Sequence, residues 1–326
     1  MALKVLYLGG TGVISSACSA LAVEKGLDLV LYNRGNSIRP APEGAKVIIG
    51  DINNQKDLET LLEKNTFDVV VNWIAYHPEE VKRDIKLFKD KVGQYIFISS
   101  ASAYQKPIRQ LPITEETPLD NPFWDYSREK KACEEVLFQA FQEQDFPGTV
   151  VRPSHTYDKT LLPLPGGYTT LERILKEEKV VIHGDGTSLW VLTHHKDFAV
   201  GFVGLLGKKE ALGEAYQITS DLLLTWNDIY KSIAEAAGKT LNPVYIPSTI
   251  IAQHDPKWGA GLLGDKAHSV IFDNAKIKAL VPEFKAVIPY QVGCQETVRW
   301  YQENPDYQKV DPELSAIMEK LVVIYQ

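Results

Sequence analysis

The 326-residue sequence has few cysteines, no surplus of basic residues and no long apolar run. Each shortage removes a class of function. The three cysteines, Cys18, Cys133 and Cys294, are scattered and odd in number, which argues against a disulfide framework or a metal site. They read as core filler in a reduced compartment. Lysine and arginine total 35 against 42 aspartate and glutamate, a formal net charge of −7. That balance offers no general attraction for nucleic acid or an anionic membrane. No stretch approaches the ~20 apolar residues that span a bilayer. The N-terminal apolar run is too short for a signal peptide and leads straight into glycines, so a cytoplasmic protein is expected.

Glycines at the N-terminus carry the first positive signal. Lys4–Leu8 is a short apolar run suited to a buried parallel strand. It breaks at Gly9, Gly10, Thr11 and Gly12, and helix-compatible residues follow from Val13. A strand, a glycine turn and a helix start can hold a diphosphate on backbone N–H groups at the positive end of a helix dipole. The spacing is Gly9-x-x-Gly12-x-x-Ser15, not Gly-x-Gly-x-x-Gly, and an ordinary strand-to-helix turn would read alike.

Downstream, apolar runs at residues 29–32, 45–49, 69–73 and 94–99 alternate with helical patterns at 17–25, 57–64 and 81–91. This alternation predicts an α/β fold with a doubly wound parallel sheet. A proline-bearing loop over 107–122 precedes a long helix at 125–144 and a sixth strand at 148–152. Beyond Pro153 the pattern loosens, with helices expected at 171–178, 197–206, 226–238 and 289–303 and strands at 180–183, 215–218 and 243–246. The expected organisation is a dinucleotide-binding domain over 1–153 and a smaller, mainly substrate-binding α+β region over 154–326. Some later segments are expected to return to the first domain.

Tyr126 and Lys130 lie one helical turn apart on one face. A phenol titrates near ~10, too high for a base at neutrality. A neighbouring ammonium, or an oxidised nicotinamide, would lower that value and let the tyrosine move a proton while hydride transfers. A tyrosine and a snorkelling lysine on a surface helix would show the same spacing.

Taken together, these motifs resemble the extended short-chain dehydrogenase/reductase family, the group of nucleotide-sugar epimerases and dehydratases. The likeness runs through Gly9-x-x-Gly12-x-x-Ser15, Gly50-Asp51-Ile52, the segment from Ile98 to Tyr104, the Tyr126–Lys130 pair, Arg152-Pro153 and Gly184-Asp185-Gly186 with His194 and Asp197. It implies a Rossmann fold and a catalytic set of Ser100, Tyr126 and Lys130. It further implies a cofactor site at Gly9, Thr11, Gly12, Val13, Ile14, Asn33, Arg34, Asp51, Ile52, Trp73, Ile74 and Pro153, with Tyr126 and Lys130 at its inner end. Family members often pair through the helices bearing the catalytic tyrosine, which implies a homodimer.

The cofactor reading turns on strand two. An NAD site would place an acid near Asn33, yet no Asp or Glu lies between Leu29 and Pro42. Arg34 can grip a 2′-phosphate, so NADP is expected over NAD. A solvated Arg34, with NAD held through Asn33, is the alternative.

Departures from the family pattern narrow the reaction. Ala101 and Ser102 stand where dehydratases carry Asp-Glu, which argues against a dehydratase. Trp190 falls where a diphosphate-binding arginine is usual, and Ser154-His155 where an asparagine is usual. A sugar or sugar-like small molecule is therefore expected, with His77, Ser102, His155 and Trp190 lining its cleft; Trp258 could cap it, although an aromatic in a loop more often packs than recognises a ligand. Lys159, Arg173 or Lys266 could supply a missing positive charge. The expected activity is hydride transfer between nicotinamide and a hydroxyl or carbonyl carbon, by reduction, oxidation or epimerisation. A non-catalytic NAD(P)-binding or RNA-associated relative is the alternative.

Overall fold

The computed structural model describes residues 2–325. Strands β1 (Lys4–Leu8), β2 (Asp28–Asn33), β3 (Lys46–Ile49), β4 (Val69–Asn72), β5 (Gln94–Ile98) and β6 (Gly148–Pro153) pair in parallel. With the strand Ala215–Ile218 they form a seven-stranded sheet in the order Ala215–Ile218, β6, β5, β4, β1, β2, β3. Successive side chains of a strand point to opposite faces, and here both faces are apolar. Val5, Tyr7, Leu29, Leu31, Val69 and Val71 pack beneath α1 (Ser15–Glu24) and the helix His195–Leu205. Leu6, Leu8, Val30, Tyr32 and Val70 pack beneath α2 (Gln55–Lys64), α3 (Pro78–Phe88) and α4 (Asp125–Gln144). The chain order reverses between β1 and β4, the point where ligands collect in open α/β sheets.

The later half of the chain returns to this core. Tyr216 lies opposite Val151 in the sheet, and Phe198 and Phe202 cover its face. Away from the sheet, Tyr157, Trp190, Trp226 and Tyr230 build a second core, and Val181, Ile246 and Leu321 a third. Three further strand pairs brace these cores. Two of them, His155–Tyr157 with Leu192–His194 and Leu189–Trp190 with Leu224–Thr225, were absent from the expected elements because two or three residues carry no periodicity. The helices Ser248–His254, Pro256–Gly261 and Pro312–Tyr325 were likewise not expected. All three cysteines are buried and free. No described helix is long and apolar enough to cross a membrane.

Candidate active site

A cavity of about 550 Å³ opens where β1, β2 and β4 end. Its floor is the glycine turn. Gly10 has φ +102°, and a side chain there would meet Leu31 Cδ2 at 2.7 Å, so the turn needs glycine at this position. The Gly10 carbonyl accepts from Ser19 Oγ at 2.7 Å, which ties the turn to α1. Ser15 Oγ accepts from the Gly12 N–H at 2.8 Å. The residue replacing the third glycine therefore braces the turn. The α1 N-cap, Ile14, has no side-chain cap bond, and the first turn carries no acid. Its free amides and dipole suit a diphosphate.

The cavity wall carries Thr11, Val13, Asn33, Arg34, Asp51, Ile52, Trp73 and Ile74. Asn33 Oδ1 accepts from Gly35 N at 2.9 Å, and Arg34 is exposed. Ser37 Oγ donates to the Thr11 carbonyl at 2.7 Å, folding the loop after β2 against the turn. Asp51 Oδ1 accepts from Asn53 N at 2.9 Å. An uncapped helix start, a glycine turn too tight for side chains and a loop from Asn33 to Ser37 without acids together fit a dinucleotide. Asn36 and Ser37, in the loop after β2, and Glu80, in the first turn of α3, also line this cavity and were not expected. Pro153 is placed differently: it is buried at the end of β6 and off the cavity wall. Arg152 beside it points to Glu134, with Nη2 to Oε2 at 2.6 Å, because a buried guanidinium needs a partner.

Lys130 Nζ donates to the carbonyls of Ala75 at 2.7 Å and Ile98 at 2.9 Å and lies 5.8 Å from the Tyr126 ring centroid. Burial brings its pKa down to about 8. Burial also pushes the Tyr126 hydroxyl above its usual range, against the pull of a hydrogen bond from Ser100. The expected lowering of the phenol by Lys130 is thus absent. The ammonium spends its hydrogen bonds on two carbonyls, and desolvation prevails. Ser127 Oγ donates to Ser102 Oγ at 2.9 Å, and Ser102 Oγ lies 2.9 Å from Ser100 Oγ. Trp124 and Tyr76 flank the Tyr126 ring at 5.1 and 5.5 Å between centroids.

A second cavity of about 380 Å³ has Ser100, Ser102 and Tyr126 among its lining residues, together with Trp124, His155, Trp190 and Lys266. Trp124, Asp265 and Phe272 also border it and were not expected. Trp124 is far in sequence from the other two. His77 is not on either wall. It caps α3 from an exposed position, with Nδ1 3.0 Å from Glu129 Oε2. Trp258 packs beside Ile251 and Leu262 in the third core instead of capping the cleft. Arg173 is buried against Glu319 at 2.8 Å, and Lys159 borders a separate groove beside α1.

A family model described as the NAD dependent epimerase/dehydratase family matches residues 5–219. The chain belongs to that family. Among similar proteins, the chloroplast stem-loop binding protein of 41 kDa b from Arabidopsis thaliana is 28% identical over 273 residues, 78% of this chain and 66% of that protein. The chain thus spans a little under two thirds of that relative's length. The 2'-dehydrokanamycin reductase of Streptomyces kanamyceticus is 23% identical over 294 residues, 87% of this chain and 80% of that one. Among solved structures, the UDP-glucose 4-epimerase of Bifidobacterium longum, in complex with NAD+ and UDP, superposes with a TM-score of 0.73. It is 21% identical, and the match covers 93% of this chain and 99% of that one. At that identity the likeness speaks for the fold. This family member therefore has a Rossmann-type sheet whose switch point opens into the larger cavity.

Proposed function

We propose that the protein transfers hydride between a nicotinamide cofactor and a hydroxyl or carbonyl carbon of a sugar-like small molecule. The observation that carries this reading is the position of Tyr126, Ser100 and Lys130 where the dinucleotide-type cavity approaches the smaller one. The nicotinamide, when bound, supplies or accepts hydride at its C4 carbon. Tyr126 gives its hydroxyl proton to the carbonyl oxygen in reduction and takes it back in oxidation. Ser100 donates a hydrogen bond to the same oxygen. Lys130, buried beside the Tyr126 ring with two of its three N–H groups on carbonyls, has its remaining donor to hold a ribose hydroxyl. The phenol's raised pKa keeps the hydroxyl protonated in the unliganded site, the form that reduction starts from.

Cofactor choice rests on Arg34, the cation at the end of β2, and the absence of an acid there favours NADP over NAD. Dehydration has little support from the side chains: Ala101 has no acid–base group, Ser102 is a hydroxyl, and Asp265 is paired with Lys106 at 3.1 Å. The test is transfer of deuterium from nicotinamide labelled at C4 to a panel of keto sugars and sugar acids. Transfer that depends on Tyr126 supports the reading, and its absence across the panel counts against it.

The similarity to a stem-loop binding protein favours a second reading, in which the chain binds RNA without catalysis. The net charge of −7 and the retained Ser100, Tyr126 and Lys130 weigh against it. Salt-sensitive RNA retention that survives Tyr126→Phe would favour it.

A further inference from the structure

Trp190 Nε1 donates to His155 Nδ1 at 3.1 Å. An indole nitrogen can only donate, so Nδ1 is the bare nitrogen and the ring proton sits on Nε2. Burial, and after it the nearby Lys266 charge, push the imidazole pKa down to about 3, so the ring stays neutral. His155 borders the smaller cavity, and its Nε2–H has no hydrogen-bond partner among the described residues. It is a fixed donor.

Lys266 borders the same cavity and ends the wide π turn Leu262–Lys266. Its carbonyl accepts from His183 Nε2 at 3.1 Å, Trp226 Nε1 at 3.1 Å and Ser188 Oγ at 3.4 Å, which anchors its backbone. Its ammonium lies 5.4 Å from the Trp124 ring centroid. Asp265 is turned to Lys106 at 3.1 Å and does not neutralise it. Trp124 and Trp190 add apolar faces suited to a sugar ring. The cavity therefore offers an ammonium and an N–H donor, while its carboxylate is already engaged.

We propose that Lys266 and His155 together recognise a carboxylate, so that the substrate is a small sugar-like hydroxy or keto acid rather than a neutral sugar or a cation. Trp190 is the positioning residue, acting through His155. The proposal rests on the hydride-transfer reading for the location of the substrate, with the reacting oxygen at Tyr126 and Ser100.

D-Glucuronate and D-glucose share a ring and differ by one carboxylate, and their binding can be compared by isothermal titration with and without NADP+. Glucuronate should bind at least about tenfold more tightly, with the advantage falling to within about twofold in Lys266→Gln. Equal affinities, no glucuronate binding, or an advantage that survives Lys266→Gln would overturn the proposal. Nitrogen NMR of labelled protein should show His155 protonated on Nε2 alone from about pH 5 to 8. In Trp190→Phe, Nδ1 should become protonated within that range. A merely structural tryptophan would leave the tautomer unchanged, and an Nδ1–H ring in the parent protein would remove His155 from the pair. Nucleotide binding and Tyr126-dependent deuterium transfer are read separately. Their loss would sink the hydride-transfer reading while leaving the carboxylate preference decided on its own.

Discussion

Ser15 Oγ accepts the Gly12 N–H at 2.8 Å, so the residue that breaks the glycine motif also completes the turn. The hydroxyl keeps its own proton and can donate it to a phosphate oxygen while accepting from Gly12. Ser15→Gly restores the family spacing but removes this bond. A lost neutral hydrogen bond is worth about 0.5–1.5 kcal/mol, so dinucleotide affinity should fall roughly 2- to 13-fold with turnover at saturation unchanged. Fluorescence titration with the nucleotide checks this, and an unchanged or tighter dissociation constant would contradict it.

Tyr126→Phe keeps the ring packed between Trp124 and Tyr76 and removes only the hydroxyl. Positioned proton transfer contributes about 10²–10⁴-fold, and turnover should drop by that range. Nucleotide affinity should stay within about threefold, since the loss falls on the reaction step. Steady-state rates beside a nucleotide titration separate the two effects.

Lys130→Met would strand the carbonyls of Ala75 and Ile98, which both receive the buried ammonium. Each unpaired buried acceptor costs about 1–3 kcal/mol. Removing an ammonium whose pKa burial has brought down to about 8 offsets part of that loss. The net expectation is a destabilisation of about 1–3 kcal/mol, measured by urea unfolding. A variant as stable as the parent would mean that these hydrogen bonds contribute nothing.

Arg34→Ala should weaken NADP+ more than NAD+, because only the former carries a 2′-phosphate for the guanidinium to hold. A loss of about tenfold for NADP+ alone is expected from one charge-assisted contact. Thermal shifts with both nucleotides decide it, and a parent protein that prefers NAD+ would remove the 2′-phosphate reading.

Burial, the first cause in each case, holds His155 at about 3 and both His183 and His195 at about 4. In the unfolded chain these groups titrate near ~6.5, so between those values the unfolded chain binds more protons. Their contribution to stability is complete above about pH 6.5 and is lost as pH falls toward the folded values. Each histidine should add a slope of up to about 1.4 kcal/mol per pH unit in that window. Urea unfolding at several pH values should show the decline begin near ~6.5 and become shallower in His183→Gln, provided that variant folds. A flat profile from about pH 7 to 5 would mean that the rings are not held neutral.

The sheet was legible because its strands are apolar on both faces and separated by helical repeats, a pattern local in sequence. Val5 and Leu6 point in opposite directions and still are both buried. The glycine turn, the Tyr126–Lys130 spacing and the missing acid after β2 were equally local. His77 was misplaced because a residue after a strand end can face a cleft or cap a helix, and the bonds of Glu80 to the Tyr76 and His77 amides decide for the cap. Arg173 lies on a helix, and its partner Glu319 is 146 residues away, so its pairing is decided only once the chain has folded, while Trp258 takes the packing role more usual for an aromatic.

By itself the sequence determined the order of the first six strands, the glycine turn at Gly9 to Ser15 and the one-turn spacing of Tyr126 and Lys130, because backbone conformation and side-chain periodicity act over a few residues. Tertiary structure alone decided protonation and recognition. The environment of Tyr126 is set by how deeply its hydroxyl is desolvated, and the tautomer of His155 by an indole 35 residues away. Solvation and hydrogen-bond partners are properties of the assembled cavity, where Trp124, His155, Trp190 and Lys266 meet from four separate segments of the chain.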